Sequence, residues 1–340
     1  MKMVEKDLRE GLLLGIGNPL LDISAVVDMA FVEKYGMKPN DAILATDKHQ
    51  TLYKELINNY KAEYTAGGSV QNALRVAQWV LEKPEITTFF GCVGKDDYSK
   101  ILERKARECG VNVQYQYCDN EPTGTCAVLI TGKERSLCAN LAAANHFTSE
   151  HVHKPENKKY IEIAKFYYIS GFFLTVNPAT VQEVANHALA NDRMFVMNLS
   201  APFVPQFYMK PLMDAMPYVD ILFGNETEAA TFAKEQNFGT DDLKKIALMI
   251  CDLPKHNKNR LRVCIITQGE NPVIMASNGA VKEFPAIQLP PEKVVDTNGA
   301  GDAFAGGFLA QLVLGRNYDD CVKCGIRTAT EIIQRSGCTY

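Results

Sequence analysis

Short apolar segments alternate with amphipathic ones along almost the whole chain, and this alternation constrains the fold more than any other feature. Most apolar segments are continuous, as expected for strands buried on both faces of a sheet. The predicted strands are Leu12–Gly17, Ile86–Val93, Lys165–Ser170, Met194–Leu199, Val219–Phe223 and Val263–Thr267. The predicted helices are Ser69–Leu81, Tyr98–Cys109, Thr180–Leu189, Glu226–Glu235 and Asp242–Cys251. The pattern predicts an α/β fold with a mainly parallel central sheet flanked by helices.

Some segments depart from this alternation. Asn278-Gly279 between two apolar runs predicts a β-hairpin over Val273–Phe284. Asp22–Thr46 and Val113–Ala143 contain strand and turn patterns with few helix signals. We interpret both as one small β-rich lid inserted in a single large α/β domain that spans residues 1–340.

The composition is that of an ordinary globular protein, and it argues against several classes of function. Hydrophobic residues make up 46% of the 340-residue chain and charged residues 22%. The net charge of −4 provides no general basic field for nucleic acid. No apolar run reaches the roughly 18 residues of a membrane span, and the 10 cysteines suit a reduced, cytosolic protein. We therefore expect a cytoplasmic location, with a nuclear one also compatible, and no nucleic-acid or membrane partner. The lid suits a monomer, although the sequence does not fix the oligomeric state.

A glycine-rich turn, Asp296-Thr297-Asn298-Gly299-Ala300-Gly301-Asp302, precedes an apolar run at helical spacing. A turn that opens a helix leaves its first backbone N–H groups without partners, and these groups with the helix dipole can bind a phosphate. Asp302 falls inside that site, and an acid placed where an anion should bind indicates catalysis. The alternative is an ordinary helix-start acid. Gly306 and Gly307 in the helix predict a close neighbour, since each costs roughly 1 kcal/mol relative to alanine.

Small, polar or aromatic residues follow several predicted strands, at the sheet edge where open α/β folds bind ligands. The segments are Gly17-Asn18-Pro19 with Asp22, Gly67-Gly68-Ser69 with Asn72, Ser170–Phe173, Gly224–Glu228 and Thr267-Gln268-Gly269. The Gly67-Gly68 pair would let a ligand contact backbone directly. Asn18 and Asp22 suit the vicinal hydroxyls of a sugar, because a carboxylate accepts two hydrogen bonds.

Aromatic and acidic residues in these segments allow two further assignments. Phe172 or Phe173 could stack on a flat base, although either could instead pack in the core. Asn225 and Glu228 share a face at a helix start, which suits a hydrated Mg²⁺ beside phosphates, but the pair could also simply cap the helix. Leu20 occupies the third glycine position of a dinucleotide fingerprint that begins at Gly15, and no P-loop sequence is present.

Taken together, these motifs resemble the ribokinase-like family of sugar and nucleoside kinases. The motifs concerned are the Gly67-Gly68 turn with Asn72, the Asn225-x-x-Glu228 pair and the Asp296–Asp302 turn. The longer runs similar to the branch that acts on adenosine are Gly17–Val27, Pro122–Ala127, Asn140–Asn145, Gly171–Val176 and Tyr218–Phe232. The resemblance spans nearly the whole chain. It implies a ribokinase-like fold and Mg²⁺-dependent transfer of the γ-phosphate of ATP to the 5′-hydroxyl of adenosine, giving AMP and ADP in purine salvage.

The resemblance also implies roles for individual residues. Asp302 would be the catalytic base, with Gly299, Ala300 and Gly301 as the anion hole and Arg135 facing the phosphates from the lid. The substrate-binding residues would be Asn18, Asp22, Gly68 and Asn72 at the ribose, Cys126, Leu137, Ala139, Phe173 and Phe203 at the adenine, and also Leu20, Gly67 and Ser69. The ATP site would include Asn225, Thr267, Gln268, Gly269 and Asn298, and Asn225 and Glu228 would hold Mg²⁺ through water.

Other interpretations stay open at this point. Another ribokinase-like nucleoside or sugar kinase would keep Asp302 and the glycines without needing an aromatic slot. A non-catalytic nucleoside-binding protein could lose Asp302, Asn225 or Glu228, and all three are present. Leu20 argues against a dehydrogenase.

Overall fold

The computed structural model describes residues 8–39, 42–132 and 134–340. The strands are β1 Leu13–Ile16, β2 Leu20–Val26, β3 Ala42–Leu44, β4 Glu63–Gly67, β5 Thr87–Gly94, β6 Asn112–Cys118, β7 Thr125–Thr131, β8 Glu134–Asn140, β9 Phe166–Ser170, β10 Met194–Asn198, β11 Ile221–Asn225, β12 Val263–Gln268, β13 Asn271–Ser277 and β14 Ala280–Phe284. The α-helices are α1 Met29–Lys34, α2 Leu52–Asn59, α3 Ser69–Leu81, α4 Asp97–Glu108, α5 Ser149–His153, α6 Pro155–Ile163, α7 Pro178–Ala190, α8 Phe203–Phe207, α9 Met209–Ala215, α10 Glu226–Glu235, α11 Leu243–Asp252, α12 Ala300–Val313 and α13 Tyr318–Ile332. Short 3₁₀ helices cover Asp47–His49, Ala142–His146, Gly171–Thr175, Met216–Tyr218 and Pro291–Lys293.

The larger of two sheets has nine strands among the described residues, in the order β14-β13-β12-β11-β10-β9-β1-β5-β6. Every pair from β12 to β6 is parallel, and only the β12–β13 and β13–β14 pairs are antiparallel. Helices α3, α12 and α13 pack on one face and α7, α10 and α11 on the other. The α/β prediction is therefore confirmed, and no predicted helix or strand end is displaced by more than two residues. The hairpin turn is also as predicted, with positive φ at Asn278 and Gly279.

The smaller sheet has the order β3-β8-β7-β2-β4. One face packs against α1 and α2 in a cluster that includes Ile23, Leu52 and Leu129. The other face carries a second cluster around Leu20 and Cys126. The prediction of a small β-rich unit is thus correct, because this sheet stands apart from the nine-stranded one.

The predicted boundaries of that unit are wrong in two places. Asn112–Cys118 pairs with β5 as the edge of the large sheet, so the predicted segment Val113–Ala143 spans both sheets. Its residues alternate in burial as an edge strand does, and it therefore lacks the continuous apolar run of the central strands. The prediction also lacks the strand Glu63–Gly67 of the small sheet and the helix Met29–Lys34 that packs on it. Residues 40, 41 and 133 of the predicted lid, and 1–7 of the predicted domain, lie outside the described residues.

Two helix glycines bring α12 against its neighbours. A Cβ on Gly306 would overlap the backbone carbonyl of Ala73 in α3, and one on Gly307 would overlap the Thr328 hydroxyl in α13. The predicted close neighbour is confirmed at both positions. Because α3 and α12 touch backbone to backbone, their first turns lie side by side.

In the part of the chain that the structure describes, no helix combines the length and apolarity required to cross a bilayer.

Candidate active site

Asp302 lies in the first turn of α12 and faces the first turn of α3. Its Oδ1 accepts a hydrogen bond from Ser69 Oγ at 2.7 Å, and its Oδ2 accepts one from Asn72 Nδ2 at 3.0 Å. Burial raises the pKa of the carboxyl to about 6, and these two bonds oppose the rise. The side chain is therefore fixed in direction and mostly ionised at neutral pH.

The glycine turn holds the start of α12 open. Gly299 caps the helix with a φ of 79°, a conformation that favours glycine. A Cβ on Gly301 would meet nothing within 4 Å, so the space beside this backbone is open. Ala300 differs from the prediction, because its N–H donates to the Thr297 carbonyl at 3.2 Å. The amides of the next residues, at positions 301 and 302, are the better candidates for an anion at this helix start.

A cavity of about 230 Å³ lies beside Asp302, between the two sheets. The predicted site residues that line it are Asn18, Leu20, Asp22, Gly68, Ser69, Asn72, Cys126, Leu137, Ala139, Phe203, Asn225, Glu228, Thr267, Asn298, Gly299, Gly301 and Asp302. The predicted site residues that are not among its lining are Gly67, Ala300, Arg135, Phe173, Gln268 and Gly269. The structure thus brings most of the predicted site residues together around one cavity and leaves six outside its lining.

One end of the cavity is polar. Asp22 is buried, and burial together with the nearby Asp302 charge raises its pKa to about 8, while Arg75 opposes the shift. Asn18 Oδ1 is buried without a hydrogen-bond partner among the described residues. A buried acceptor left open beside a carboxylate fits a ligand that brings hydroxyl donors. Gly67 supports this end from behind, since a Cβ there would overlap the Asp22 carboxylate.

The aromatic wall is formed by Phe172 and not by the predicted Phe173. Phe173 is fully buried and packs edge-on against Phe147, with ring centroids 5.3 Å apart. Phe172 lines the cavity beside Phe203, with centroids 5.9 Å apart and planes 37° from parallel. Phe172 and Phe173 belong to one 3₁₀ helix, in which successive side chains point in different directions. The sequence alone therefore could not show which of the two rings faces the cavity.

Arg135 also lies elsewhere than predicted. Its Nε donates to Asp296 Oδ1 at 2.9 Å and its Nη2 to the Val295 carbonyl at 2.7 Å. Both charged side chains are almost fully buried. A buried carboxylate is a strong partner for guanidinium, and here it binds the side chain that was expected to face the phosphates. Arg135 therefore joins the small sheet to the glycine turn.

Asn225 and Glu228 form a reciprocal cap at the start of α10 and also line the cavity. Asn225 Oδ1 accepts from the Glu228 N–H at 2.8 Å, and Asn225 Nδ2 donates to Glu228 Oε1 at 2.8 Å. Burial raises the pKa of Glu228 to about 7. Within the described ranges, no group of three His, Cys, Asp or Glu side chains could hold a metal directly. A single carboxylate could hold Mg²⁺ only through water, and Mg²⁺ in proteins usually has few protein ligands and several waters.

Several cavity residues fall outside the predicted set. They are Ala42, Ile43, Leu44, Leu141, Ser170, Phe172, Asn198, Ser200, Phe223, Gly224 and Phe304. The sequence could have indicated Asn198 and Ser200, because these polar residues lie at the end of β10 just as polar residues lie at the other strand ends. Ser200 has a φ of 74° and its Oγ accepts from the Gly171 N–H at 2.9 Å. Ile43 and Leu44 carried no such signal, since only the folding of the small sheet brings them here.

An oriented carboxylate beside the open start of a helix, at the carboxyl edge of a parallel sheet, is the arrangement of a kinase that phosphorylates a small alcohol. The chain belongs to the pfkB family of carbohydrate kinases, whose model matches residues 29–340. This family is the ribokinase-like one that the motifs indicated. The protein is therefore an ATP-dependent phosphotransferase that acts on a hydroxyl group.

Its relatives point to one branch of that family. Adenosine kinase 1 of Arabidopsis thaliana is 52% identical over 331 residues, which cover 97% of this chain and 96% of the relative. The crystal structure of Anopheles gambiae adenosine kinase in complex with P1,P4-di(adenosine-5) tetraphosphate is 60% identical, with a TM-score of 0.96 over 97% of this chain and 98% of that one. Adenosine kinase from Schistosoma mansoni in complex with 2-fluoroadenosine is 35% identical, with a TM-score of 0.95 over 98% of both chains.

Proposed function

We propose that this protein transfers the γ-phosphate of ATP to the 5′-hydroxyl of adenosine, giving AMP and ADP. One observation carries the proposal: Asp302 is held by Ser69 and Asn72 at the open start of α12, facing a cavity with one polar and one aromatic wall. The family and the adenosine kinases among its relatives support the same activity.

Asp302 orients the attacking hydroxyl and accepts its proton. Phosphoryl transfer has a loose transition state in which little bond formation precedes departure of the leaving group. A carboxylate with a pKa of about 6 is ionised at neutral pH and is basic enough to take a proton late in the reaction. The hydrogen bonds from Ser69 and Asn72 set its direction before substrate arrives.

The start of α12 stabilises the negative charge on the moving phosphoryl group. Its amides lie next to Asp302, and the helix dipole adds a positive potential at the same place. Gly301 leaves room for an oxygen to approach the backbone. The repulsion between Asp302 and the phosphate is thus offset at the point where the two must meet.

Nucleoside recognition follows from the two walls of the cavity. Asp22 and Asn18 present acceptors to the ribose hydroxyls. Phe172 and Phe203, with apolar Leu137 opposite in the small sheet, form a slot for a flat base.

We also propose that Mg²⁺ binds near Glu228 through water, as ATP chemistry requires a cation on the phosphates. When bound, the ion would neutralise phosphate charge. Asn225 holds the Glu228 carboxylate in place by donating from both its backbone and its side chain. The cytoplasmic or nuclear location and the monomeric state stay predictions.

The test is a turnover assay with ATP, Mg²⁺ and adenosine, in which AMP is measured directly. Ribose, inosine and guanosine form the comparison panel. We expect a higher kcat/KM for adenosine than for ribose, because ribose has no base to contact the aromatic wall. We expect adenosine to be preferred over inosine and guanosine because the relatives are adenosine kinases. Preferential use of ribose would contradict the proposal and favour a sugar kinase.

Asp302→Asn is the variant that tests the mechanism. It preserves shape, its amide oxygen can still accept from Asn72, and its amide nitrogen can donate to the Ser69 hydroxyl. Because the base is removed, we expect adenosine binding to stay nearly intact while kcat falls by at least ~10². Calorimetric titration and single-turnover kinetics measure the two quantities separately. A variant that retains its turnover would rule out Asp302 as the base.

A further inference from the structure

Arg75 is a buried cation on α3 that the proposed mechanism does not use. It lies one turn beyond Asn72 and is only 5% exposed. Its Nη1 donates to Asn72 Oδ1 at 3.4 Å and to the Ala66 carbonyl at 3.2 Å, and its Nε contacts Cys109 Sγ at 3.5 Å. Buried arginine is rare unless paired, so its position beside the site requires an explanation.

The Asn72 amide lies between this cation and the catalytic carboxylate. Its oxygen accepts from Arg75 and its nitrogen donates to Asp302 Oδ2 at 3.0 Å. A guanidinium has only donors and a carboxylate only acceptors, so only one orientation of the amide satisfies both neighbours. Arg75 thereby fixes which end of Asn72 faces Asp302.

We infer that Arg75 is a positioning residue for phosphoryl transfer: it holds the Asn72 amide toward Asp302. The inference rests on the proposed function, because it takes Asp302 as the catalytic base. It extends that function to a residue that contacts no substrate.

The test compares Arg75→Met, Arg75→Lys, Asn72→Ala and the double variant Asn72→Ala/Arg75→Met. Arg104→Met is the matched control, since Arg104 is exposed on α4, away from the cavity. Adenosine phosphorylation by the wild type is measured first, so a failure of the proposed function is seen before any variant is made. Thermal unfolding of each variant then reports folding separately from kinetics.

For Arg75→Met we expect kcat to fall ~10-fold, because the Asn72 amide is no longer fixed. KM for adenosine should change less than kcat, because Arg75 does not line the cavity. The double variant should have the kcat of Asn72→Ala within about twofold, since Arg75 acts through Asn72. Arg104→Met should match the wild type.

Arg75→Lys keeps the positive charge but removes the planar arrangement of guanidinium donors, so it separates the two effects. It also provides a test if Arg75→Met does not fold. Its kcat should lie between those of the wild type and Arg75→Met, because lysine keeps the charge but lacks the planar fork. The inference is overturned if the kcat of Arg75→Met equals that of Arg104→Met. It is also overturned if the kcat losses of Asn72→Ala and Arg75→Met multiply in the double variant, since that is the result of a purely structural role.

Discussion

Asp22 shows, at the scale of a single residue, how a binding site opposes stability. Its ordinary pKa of 3.8 rises to about 8 in the folded chain, so the folded state disfavours the ionised form. A carboxyl whose pKa is higher in the folded than in the unfolded chain destabilises the fold once it ionises. For Asp22 this destabilisation grows as pH increases from about 4 to about 8. The same buried carboxylate can accept hydrogen bonds from the hydroxyl groups of a bound sugar.

Asp22→Asn should therefore stabilise the unliganded protein at pH 8 and weaken adenosine binding. The gain should be small near pH 4 and largest above pH 8, because only the ionised aspartate is penalised. Denaturant unfolding at pH 5 and pH 8 measures the first effect and calorimetry the second. Asp241→Asn, at an exposed position, is the control and should show no such pH dependence. A variant less stable than wild type at pH 8 would contradict the argument.

Phe172 and Phe173 allow a sharper comparison, since adjacent residues of one type have opposite environments. Phe172→Ala should raise KM for adenosine with little loss of stability, because its ring faces the cavity. Phe173→Ala should cost ~3–5 kcal/mol of unfolding free energy, because its ring is fully buried. Kinetics and denaturant unfolding on both variants decide between the two roles. Equal effects on KM would mean that Phe173 also shapes the slot.

Residues whose role depends on local sequence could be predicted, and those whose role depends on packing could not. Asp302 and Gly299 belong to one turn, so their spacing alone places them at the helix start. The position of the Arg135 side chain depends on a buried acid from a distant segment, Asp296, which binds it in the folded chain. The environment of Phe173 depends on the direction in which one short 3₁₀ helix turns its side chains.

At the scale of elements, the packing of α12 between α3 and α13 sets the geometry of the site. Ser69 and Asn72 reach Asp302 only because the two helix backbones are in contact at Gly306. The long buried elements were predictable from apolar periodicity, whereas β6 and α1 were not. Edge strands are half exposed and α1 is only six residues long, so neither has a strong apolar pattern.

Gly306→Ala and Gly301→Ala should separate packing from catalysis within the same helix. At Gly306 the methyl group meets a backbone carbonyl that cannot move cheaply, so we expect a loss of ~1–3 kcal/mol in unfolding free energy. At Gly301 the methyl group meets no atom, so stability should hold while kcat falls, because the space for the phosphate oxygen is filled. Thermal unfolding and kcat are measured on both. A Gly306→Ala protein as stable as wild type would show that α3 and α12 can separate at little cost.

At the scale of the whole molecule, the two sheets enclose the cavity from opposite sides. Strand ends of the large sheet contribute Asn198 and Asn225, and the small sheet contributes Asp22, Ile43, Leu44, Leu137 and Ala139. The Arg135–Asp296 pair joins the small sheet to the glycine turn. Exclusion of water is the reason for such a cover, since water competes with the alcohol for the phosphoryl group.

We therefore expect adenosine to draw the small sheet onto the large one. Hydrogen exchange should slow in β3 and β8 when adenosine is added, while the buried central strand β10 should not change. Asp296→Asn removes the charge that holds Arg135, so β8 should exchange faster than in wild type without ligand and recover when adenosine binds. The small sheet is then a lid whose position depends on both the ion pair and the nucleoside. Unchanged exchange in β3 and β8 on adding adenosine would instead mean that the sheets form one rigid body and that substrate enters without any closure.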